Sequence, residues 1–206
     1  ASVGRLAAGV AHEIGNPITG IACLAQNLQY ESDNKDIIEM SEQIVEQTKR
    51  VTQIVQSLVN FSHRGSRNTA KDPVSLHSCA REAFDLLKLS SDGKTENFTN
   101  DIASTHIALG DHQRITQVLI NLISNSRDAS EPHSPITVRS YRQNNNNTIL
   151  LEVEDHGCGI PETIKDSIFE PFVTSKDPGE GTGLGMAVVY SIIEDHSGQI
   201  SIDSPM

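Results

Sequence analysis

The sequence predicts two folds in series: an antiparallel helical hairpin that forms a four-helix bundle with a second copy, then an α/β sandwich. Three observations carry this. Apolar residues over 1–64 recur at helical spacing, with one polar break in the middle. From residue 72 onward, short strand-like stretches interleave with amphipathic helical ones. Between the two regions the charge changes: residues 1–64 hold 7 acids and 5 bases, residues 65–206 hold 20 acids and 11 bases. The shift falls on the polar stretch Arg64-Gly65-Ser66-Arg67-Asn68-Thr69, so 65–71 reads as a linker between domains at 1–64 and 72–206.

In the first helix Leu6, Val10, Ile14, Ile18, Ile21, Leu24, Ala25 and Leu28 follow at three- and four-residue steps. The run Glu31-Ser32-Asp33-Asn34-Lys35 breaks the pattern. In the second helix Ile37, Ile44, Val51 and Leu58 repeat every seven residues, and Met40, Val45, Val55 and Val59 widen that face. Helices of about thirty residues are roughly 45 Å long, and a lone hairpin closes no core. Its apolar face packs on a second copy or on the second domain of the same chain; the homodimeric bundle through residues 1–64 is the expectation. Pro17 has no N–H for the carbonyl of Glu13, so a bend is expected over 13–17.

In the second region, 77–89 reads as a helix, and 97–102 and 106–109 as short strands. A strong helix follows at 111–129, with Ile115, Val118, Leu119, Leu122 and Ile123 on one face. Residues 136–141 and 149–153 form a hairpin across the turn-forming run 144–147. A Gly/Pro-rich loop spans 155–181 with a short helix near 161–167; a last helix covers 182–196, and a strand starts at 199–202. This order predicts helices on one face of a largely antiparallel sheet. Such a sandwich would gain a further edge strand, so the C-terminal strand reads as truncated. The opening at Ala1 reads as the cut end of a longer chain.

The 206 residues suffice for an ordinary core. A formal net charge of −11 without basic runs argues against nucleic acid, whose affinity comes from neutralised phosphates. No stretch approaches the roughly 18 apolar residues of a membrane span, so no membrane contact is expected of this piece. Cys23, Cys79 and Cys158 are odd in number and widely spaced, which predicts free thiols in a reducing compartment. The acidity also argues at first against a polyanionic ligand. Net charge, however, governs long-range steering, whereas a phosphate site needs only local donors.

Five stretches could carry chemistry. In Asp155-His156-Gly157-Cys158-Gly159-Ile160-Pro161, a carboxylate ends an apolar strand and two glycines follow. This is either a common structural turn or an acceptor for an exocyclic amine beside a backbone that a flat ligand can approach. Gly181-Thr182-Gly183-Leu184-Gly185 precedes a helix, where bare backbone N–H groups suit phosphate, with Lys176 upstream. Neither the P-loop nor the Rossmann pattern fits it. Asn121, Asn125 and Asp128 share one face of the 111–129 helix, as a solvated face or as amides suited to Mg²⁺ held mostly by phosphates. Phe169 and Phe172 flank Glu170-Pro171 as hydrophobic anchors of a loop. In His12-Glu13-Ile14-Gly15-Asn16 the second His of a zincin is missing, leaving an imidazole beside a carboxylate with Asn16 one turn on.

Taken in order, H-E-x-x-N, N-L-I-x-N, D-x-G-x-G-I, F-E-P-F and G-T-G-L-G strongly resemble the transmitter region of a sensor histidine protein kinase, over essentially the whole chain. The resemblance implies a dimerisation and histidine-phosphotransfer domain at 1–64 and a Bergerat-fold ATP-binding catalytic domain at 72–206. It implies that His12 accepts phosphate from ATP, Glu13 activates it, and Asn16 positions water for dephosphorylating a response-regulator receiver. It further implies that Asn125 binds Mg²⁺ and that Asn121 opens the same motif. Asp155 would read adenine, backed by Gly157 and Gly159, and Phe169 and Phe172 would form the aromatic box. Gly181, Thr182, Gly183, Leu184 and Gly185 would lie by the phosphates, with Thr174, Ser175 and Lys176 in the lid.

Many members of this family place a base and then Tyr or His three and four residues after the magnesium Asn. Here Asp128 and Ala129 stand there, which leaves Arg127 and Lys176 as candidate phosphate contacts. That departure, and residues 4–17, resemble the nitrogen- and carbon-regulation branch. The expected products are an autophosphorylated His12 and a phosphorylated response regulator. The expected location is the cytoplasmic portion of a protein anchored in the inner membrane. An ATP-hydrolysing conformational machine of the same fold would want a catalytic Glu on the 112–130 stretch, which has none. A non-catalytic scaffold would not need the motif residues.

Overall fold

The computed structural model describes residues 2–62, 72–90, 97–143, 148–176 and 181–204. The linker 65–71 and the turn 144–147 lie outside the described residues. Two compact units are present: Ala1–Ser66 with Glu170–Leu184, and Arg67–Phe169 with Gly185–Met206. The segment Glu170–Leu184 is thus grouped with the hairpin, where the sequence carries it with the sandwich. It holds no strand or helix among its described residues, so no ladder ties it to a sheet.

The hairpin comprises α1 (Ser2–Glu31) and α2 (Lys35–Ser62). α1 is continuous through Pro17, and two residues on the Thr19 hydroxyl donates to the Gly15 carbonyl at 2.8 Å. The turn forms where the polar run predicts it. Asn34 Oδ1 accepts from the Asp36 N–H at 2.9 Å, an N-cap for α2, and Ser32 Oγ accepts from the Asn34 N–H. Small side chains fill the contact between the helices. Ala25, Ser41 and Thr48 are buried, and the two hydroxyls donate to the carbonyls of Ile38 and Val45, each at 2.7 Å. Ile14, Ile21, Leu24, Leu28, Ile37, Met40 and Ile44 stay exposed in the single chain. A shallow apolar groove runs between the helices past Ile18, Ile21, Met40, Ile44 and Val51.

The second unit begins with β1 (Asp72–Ser75), which pairs antiparallel with β3 (Ile107–Gly110) in a two-stranded sheet. The sequence did not announce β1, because it is four residues long and contains Pro73. A three-stranded sheet has the order β2-β4-β5, from β2 (Asn97–Asp101), β4 (Pro135–Gln143) and β5 (Thr148–Glu154). The expected β4–β5 hairpin is antiparallel, from Thr137↔Glu154 to Gln143↔Thr148. β2 and β4 run parallel, joined by a long crossover that holds β3 and α4 (His112–Ala129). The remaining helices are α3 (Leu76–Ser90), α5 (Glu162–Lys165) and α6 (Gly185–Asp195).

Two further departures concern the C-terminal part. α6 starts at Gly185, not at 182, because Gly183 takes a positive φ of 64° that no helix continues through. Residues 199–202 join no ladder: the alternating Ile200 and Ile202 are half-buried, and Ile200 packs on the α4–α6 cluster instead.

α4 organises the core of this unit. Asp111 caps it, its Oδ1 accepting from the Arg114 N–H at 3.1 Å. One side sends Leu119 and Ile123 into a cluster with Cys79, Ala83, Phe84 and Leu87 of α3 and Ile136 and Val138 of β4. There Phe84 stacks on Phe98 of β2, ring centroids 4.9 Å apart. The adjacent side sends Val118 and Leu122 against Val188, Val189 and Ile192 of α6. Cys79 is fully buried, and burial pushes its thiol above the ordinary 9.0. Cys23 and Cys158 are exposed. Titration of the native chain with a thiol reagent at neutral pH should therefore modify Cys158 fast, and Cys79 only once denaturant unfolds the sandwich.

Candidate functional site

Beside its apolar positions α4 carries polar groups. Asn121 and Asn125 are among them, half-buried, one turn apart. The Asn121 amide Nδ2 donates to the carbonyl of Gly185, the first residue of α6, at 3.4 Å. A Cβ on Gly185 would stand 3.9 Å from Asn125 Nδ2. The start of α6 and the two amides are therefore brought together.

Arg127 does not join them. Two residues after Asn125, it sits about 200° around the helix. Its Nε lies 3.7 Å from Asp128 Oδ1, and its Nη2 donates to Ser124 Oγ at 3.5 Å.

The Asp155 loop closes on the other end of α4. β5 ends at Glu154, and Asp155 follows with both carboxylate oxygens engaged. Ser126 Oγ donates to Oδ2 at 2.7 Å, and the Gly157 N–H donates to Oδ1 at 2.9 Å. The second bond closes a tight turn, and the first ties the loop to the helix. Gly157 has a steric reason: a Cβ there would lie 2.7 Å from the Ala129 carbonyl oxygen. That same oxygen accepts from the Cys158 N–H at 3.0 Å. Gly159 takes φ +74°, and the Ile160 N–H donates to Ser204 Oγ at 3.0 Å.

Ser126 is the site residue the sequence reading passed over. It is buried on α4 next to Asn125, and its only sequence signal is a hydroxyl among residues that should be apolar.

Phe169 packs against Tyr190 of α6, ring centroids 5.4 Å apart and planes tilted by 39°. The segment Glu170–Leu184 belongs to the other unit and has its own local order. Phe172 is exposed and takes φ 69°, an uncommon conformation for a bulky side chain. Its N–H donates to the Gly183 carbonyl at 2.9 Å. A Cβ on Gly183 would overlap the Phe172 backbone, and one on Gly181 would lie 2.7 Å from Thr174 Oγ1. Thr174 Oγ1 accepts from the Lys176 N–H at 3.2 Å, and Thr182 Oγ1 from the Leu184 N–H at 3.4 Å. Ser175 and Lys176 are in the same turn; Gly179 lies outside the described residues.

His12, Glu13 and Asn16 all lie on α1. The side chains of His12 and Glu13 lie outside those described; Asn16 is exposed. No group of three or more metal-ligating His, Cys, Asp or Glu exists among the described residues. This donor set suits no all-protein cation cage. It does suit Mg²⁺ that arrives with phosphates and takes one neutral amide oxygen, for which half-buried Asn125 is the fitting residue.

Comparison with known proteins shows the family of the chain. Residues 2–67 match the His Kinase A (phospho-acceptor) domain, and residues 110–206 match the family of Histidine kinase-, DNA gyrase B-, and HSP90-like ATPases. The catalytic domain of histidine kinase ThkA is 30% identical, with a TM-score of 0.54, over 62% of this chain and 82% of that one. The chain belongs to the sensor histidine kinases.

Within that family, the sensory histidine kinase/phosphatase NtrB of Rhodobacter capsulatus is 33% identical over 209 residues, 95% of this chain and 57% of NtrB. The crystal structure of ThkA in complex with response regulator protein TrrA has a TM-score of 0.64 at 28% identity, over 95% of this chain and 56% of that one. The chain thus spans 57% of the length of NtrB and 33% of two other curated relatives. No helix among its described residues is long and apolar enough to cross a membrane.

The close approach at Gly157 is open to test. Gly157→Ala should destabilise the second unit by about 1–3 kcal/mol, because its Cβ meets backbone that cannot move aside. A thermal unfolding curve superimposable on that of the parent would disprove the steric role.

Proposed function

We propose that this chain is a histidine kinase transmitter: it transfers the γ-phosphoryl group of ATP to His12, and from there to an aspartate of a response-regulator receiver. The observation that carries the reading is the pairing, on one chain, of a phosphoacceptor-domain match over 2–67 with an ATPase-family match over 110–206. We assign dimerisation and phosphotransfer to 1–64, a hinge to 65–71, and nucleotide binding and catalysis to 72–206.

The chain's own groups suit each role. Asp155 offers a carboxylate already held by Ser126 and Gly157, with lone pairs left to accept from the adenine amino group. Gly157 and Gly159 let backbone approach the base. Phe169, packed on Tyr190, anchors the start of the short turn that leads into the lid, and the exposed Phe172 ends that turn. Lys176 and the N–H groups from Gly181 through Thr182, Gly183 and Leu184 to Gly185 receive the phosphates. Mg²⁺, bound with the nucleotide and touching Asn125, supplies charge neutralisation, the main need of phosphoryl transfer. The imidazole of His12 is the nucleophile, and Glu13 accepts or holds its other ring proton.

A second activity follows from Asn16, which is exposed one turn beyond His12. Its amide orients water toward a receiver aspartyl phosphate, which makes the chain bifunctional. The name of NtrB, a kinase/phosphatase, supports this reading. The exposed apolar residues of α1 and α2 support a homodimer, since a second hairpin would cover them. The receiver would dock on the resulting bundle; the similar histidine kinase ThkA is itself found in complex with a response regulator protein. We place the chain on the cytoplasmic side of a longer protein anchored in the inner membrane, with no nucleic-acid partner.

With radiolabelled ATP, His12→Gln should abolish acid-labile incorporation; retained label would move the phosphosite. Asp155→Asn turns an acceptor edge toward a donor and should weaken ATP binding by about ten- to a hundredfold. Unchanged affinity would contradict the adenine assignment. Asn16→Ala should autophosphorylate normally yet lose receiver dephosphorylation, and loss of both would remove its separate role.

A further inference from the structure

The C-terminal end of α6 is tied to the start of α4 by polar contacts that the nucleotide reading does not use. The Asp111 backbone N–H donates to His196 Nε2 at 3.0 Å. Nε2 must therefore accept, so the ring proton sits on Nδ1, which donates to the Ile192 carbonyl at 2.7 Å. The ring also fills the space over Gly110, where a Cβ would lie 2.6 Å from His196 Cδ2. One residue earlier, Asp195 Oδ2 accepts from Arg114 Nη2 at 2.6 Å. The helix itself ends in a Schellman cap: the Ser197 N–H donates to Glu194 and the Gly198 N–H to Ile193. That cap holds His196 at a fixed point of the chain.

The other end of α6 carries Gly185, whose carbonyl accepts from Asn121 and which sits beside Asn125. Between the ends, Val188, Val189 and Ile192 meet Val118. Apolar contact is non-directional, so it sets the distance between the helices and leaves the tilt of α6 open. The directional contacts at the two ends determine that tilt. Over the 11 residues of α6, about 16 Å, a small swing at His196 becomes a displacement of Gly185 against the two amides.

We propose that His196, seconded by the Arg114–Asp195 pair, is a positioning residue for nucleotide binding: it clasps α6 to the β3–α4 junction so that Gly185 meets Asn121 and Asn125. The inference rests on the assignment of that site to ATP. Misplacement of a binding group by about 1 Å is costly, and His196→Ala is expected to raise the ATP dissociation constant roughly tenfold. His196→Gln can still accept from the Asp111 N–H and should restore most of the affinity.

The experiment is calorimetric titration of ATP with Mg²⁺ into the whole chain, alongside thermal unfolding. Phe84→Leu, which loosens the α3 side of the core away from α6, supplies a destabilised comparison and should bind ATP as the parent does. Parent-like affinity in His196→Ala, or an equal loss in Phe84→Leu, would overturn the proposal. Should His196→Ala not fold, Arg114→Ala cuts only the partly exposed pair: weaker ATP binding at unchanged melting temperature supports the clasp, and parent affinity overturns it. Asp155→Asn separates the two levels. If it binds ATP undiminished, the nucleotide site itself is misassigned. If it loses affinity while His196→Ala does not, only the clasp falls.

Discussion

Helix α4 has to satisfy two apolar neighbours at once, and the second unit is built around that demand. Leu119 and Ile123 face α3 and the sheet, while Val118 and Leu122 face α6. The rest of the helix is left to polar residues, and Asn121 and Asn125 are among them. The parts that surround them are hung on the same helix. Gly185 is held by Asn121, Asp155 by Ser126, and the Gly157–Cys158 turn by the Ala129 carbonyl.

Magnitudes show which of these contacts direct the fold and which refine the site. Burying one Leu or Ile side chain contributes about 1.5–3 kcal/mol, and several do so on each side of α4. A single hydrogen bond nets about 1 kcal/mol. The apolar clusters therefore place α4, and the hydrogen bonds aim Asp155 and Gly185 once it is placed. Leaving one such partner unpaired costs more than the bond nets, which is why the Ser126 hydroxyl, buried beside a carboxylate, matters to the loop.

The hairpin follows a different rule. It uses small residues, Ala25, Ser41 and Thr48, to bring two long helices together, and the hydroxyls bond to their own helix. Large apolar residues are left over, facing out. A hairpin so constructed carries a surface suited to a second hairpin, and it leaves Asn16 exposed. The charge fits too. The acidic excess lies mostly in the second region, yet a phosphate site is made of glycine N–H groups, a cation and a few bases, whose effect is local.

Much was legible in the sequence because the signals are periodic or chemically narrow. The three- and four-residue steps of α1 and the heptads of α2 marked those helices and the turn between them, and the apolar face of α4 set its bounds within a residue. The spacing of His12, Asn125, Asp155 and the glycines at 181–185 pointed to one family, because glycine and amide positions at fixed intervals are hard to satisfy otherwise. Other features depended on partners far away in the chain. β1 is a strand only because β3 lies beside it, and Pro73 hides that in the sequence. Ile200 and Ile202 alternate like a strand but join no ladder, since Ile200 is taken up by the α4–α6 cluster. Ser126 and His196 look ordinary until a carboxylate 29 residues on and an amide 85 residues back come within hydrogen-bond distance. The sequence by itself determined the strongly periodic elements, the family and the chemically distinctive residues, because periodicity and residue type are local properties. Tertiary structure alone decided which polar atoms meet, because a hydrogen bond is directional and short, and only packing brings distant residues within its reach.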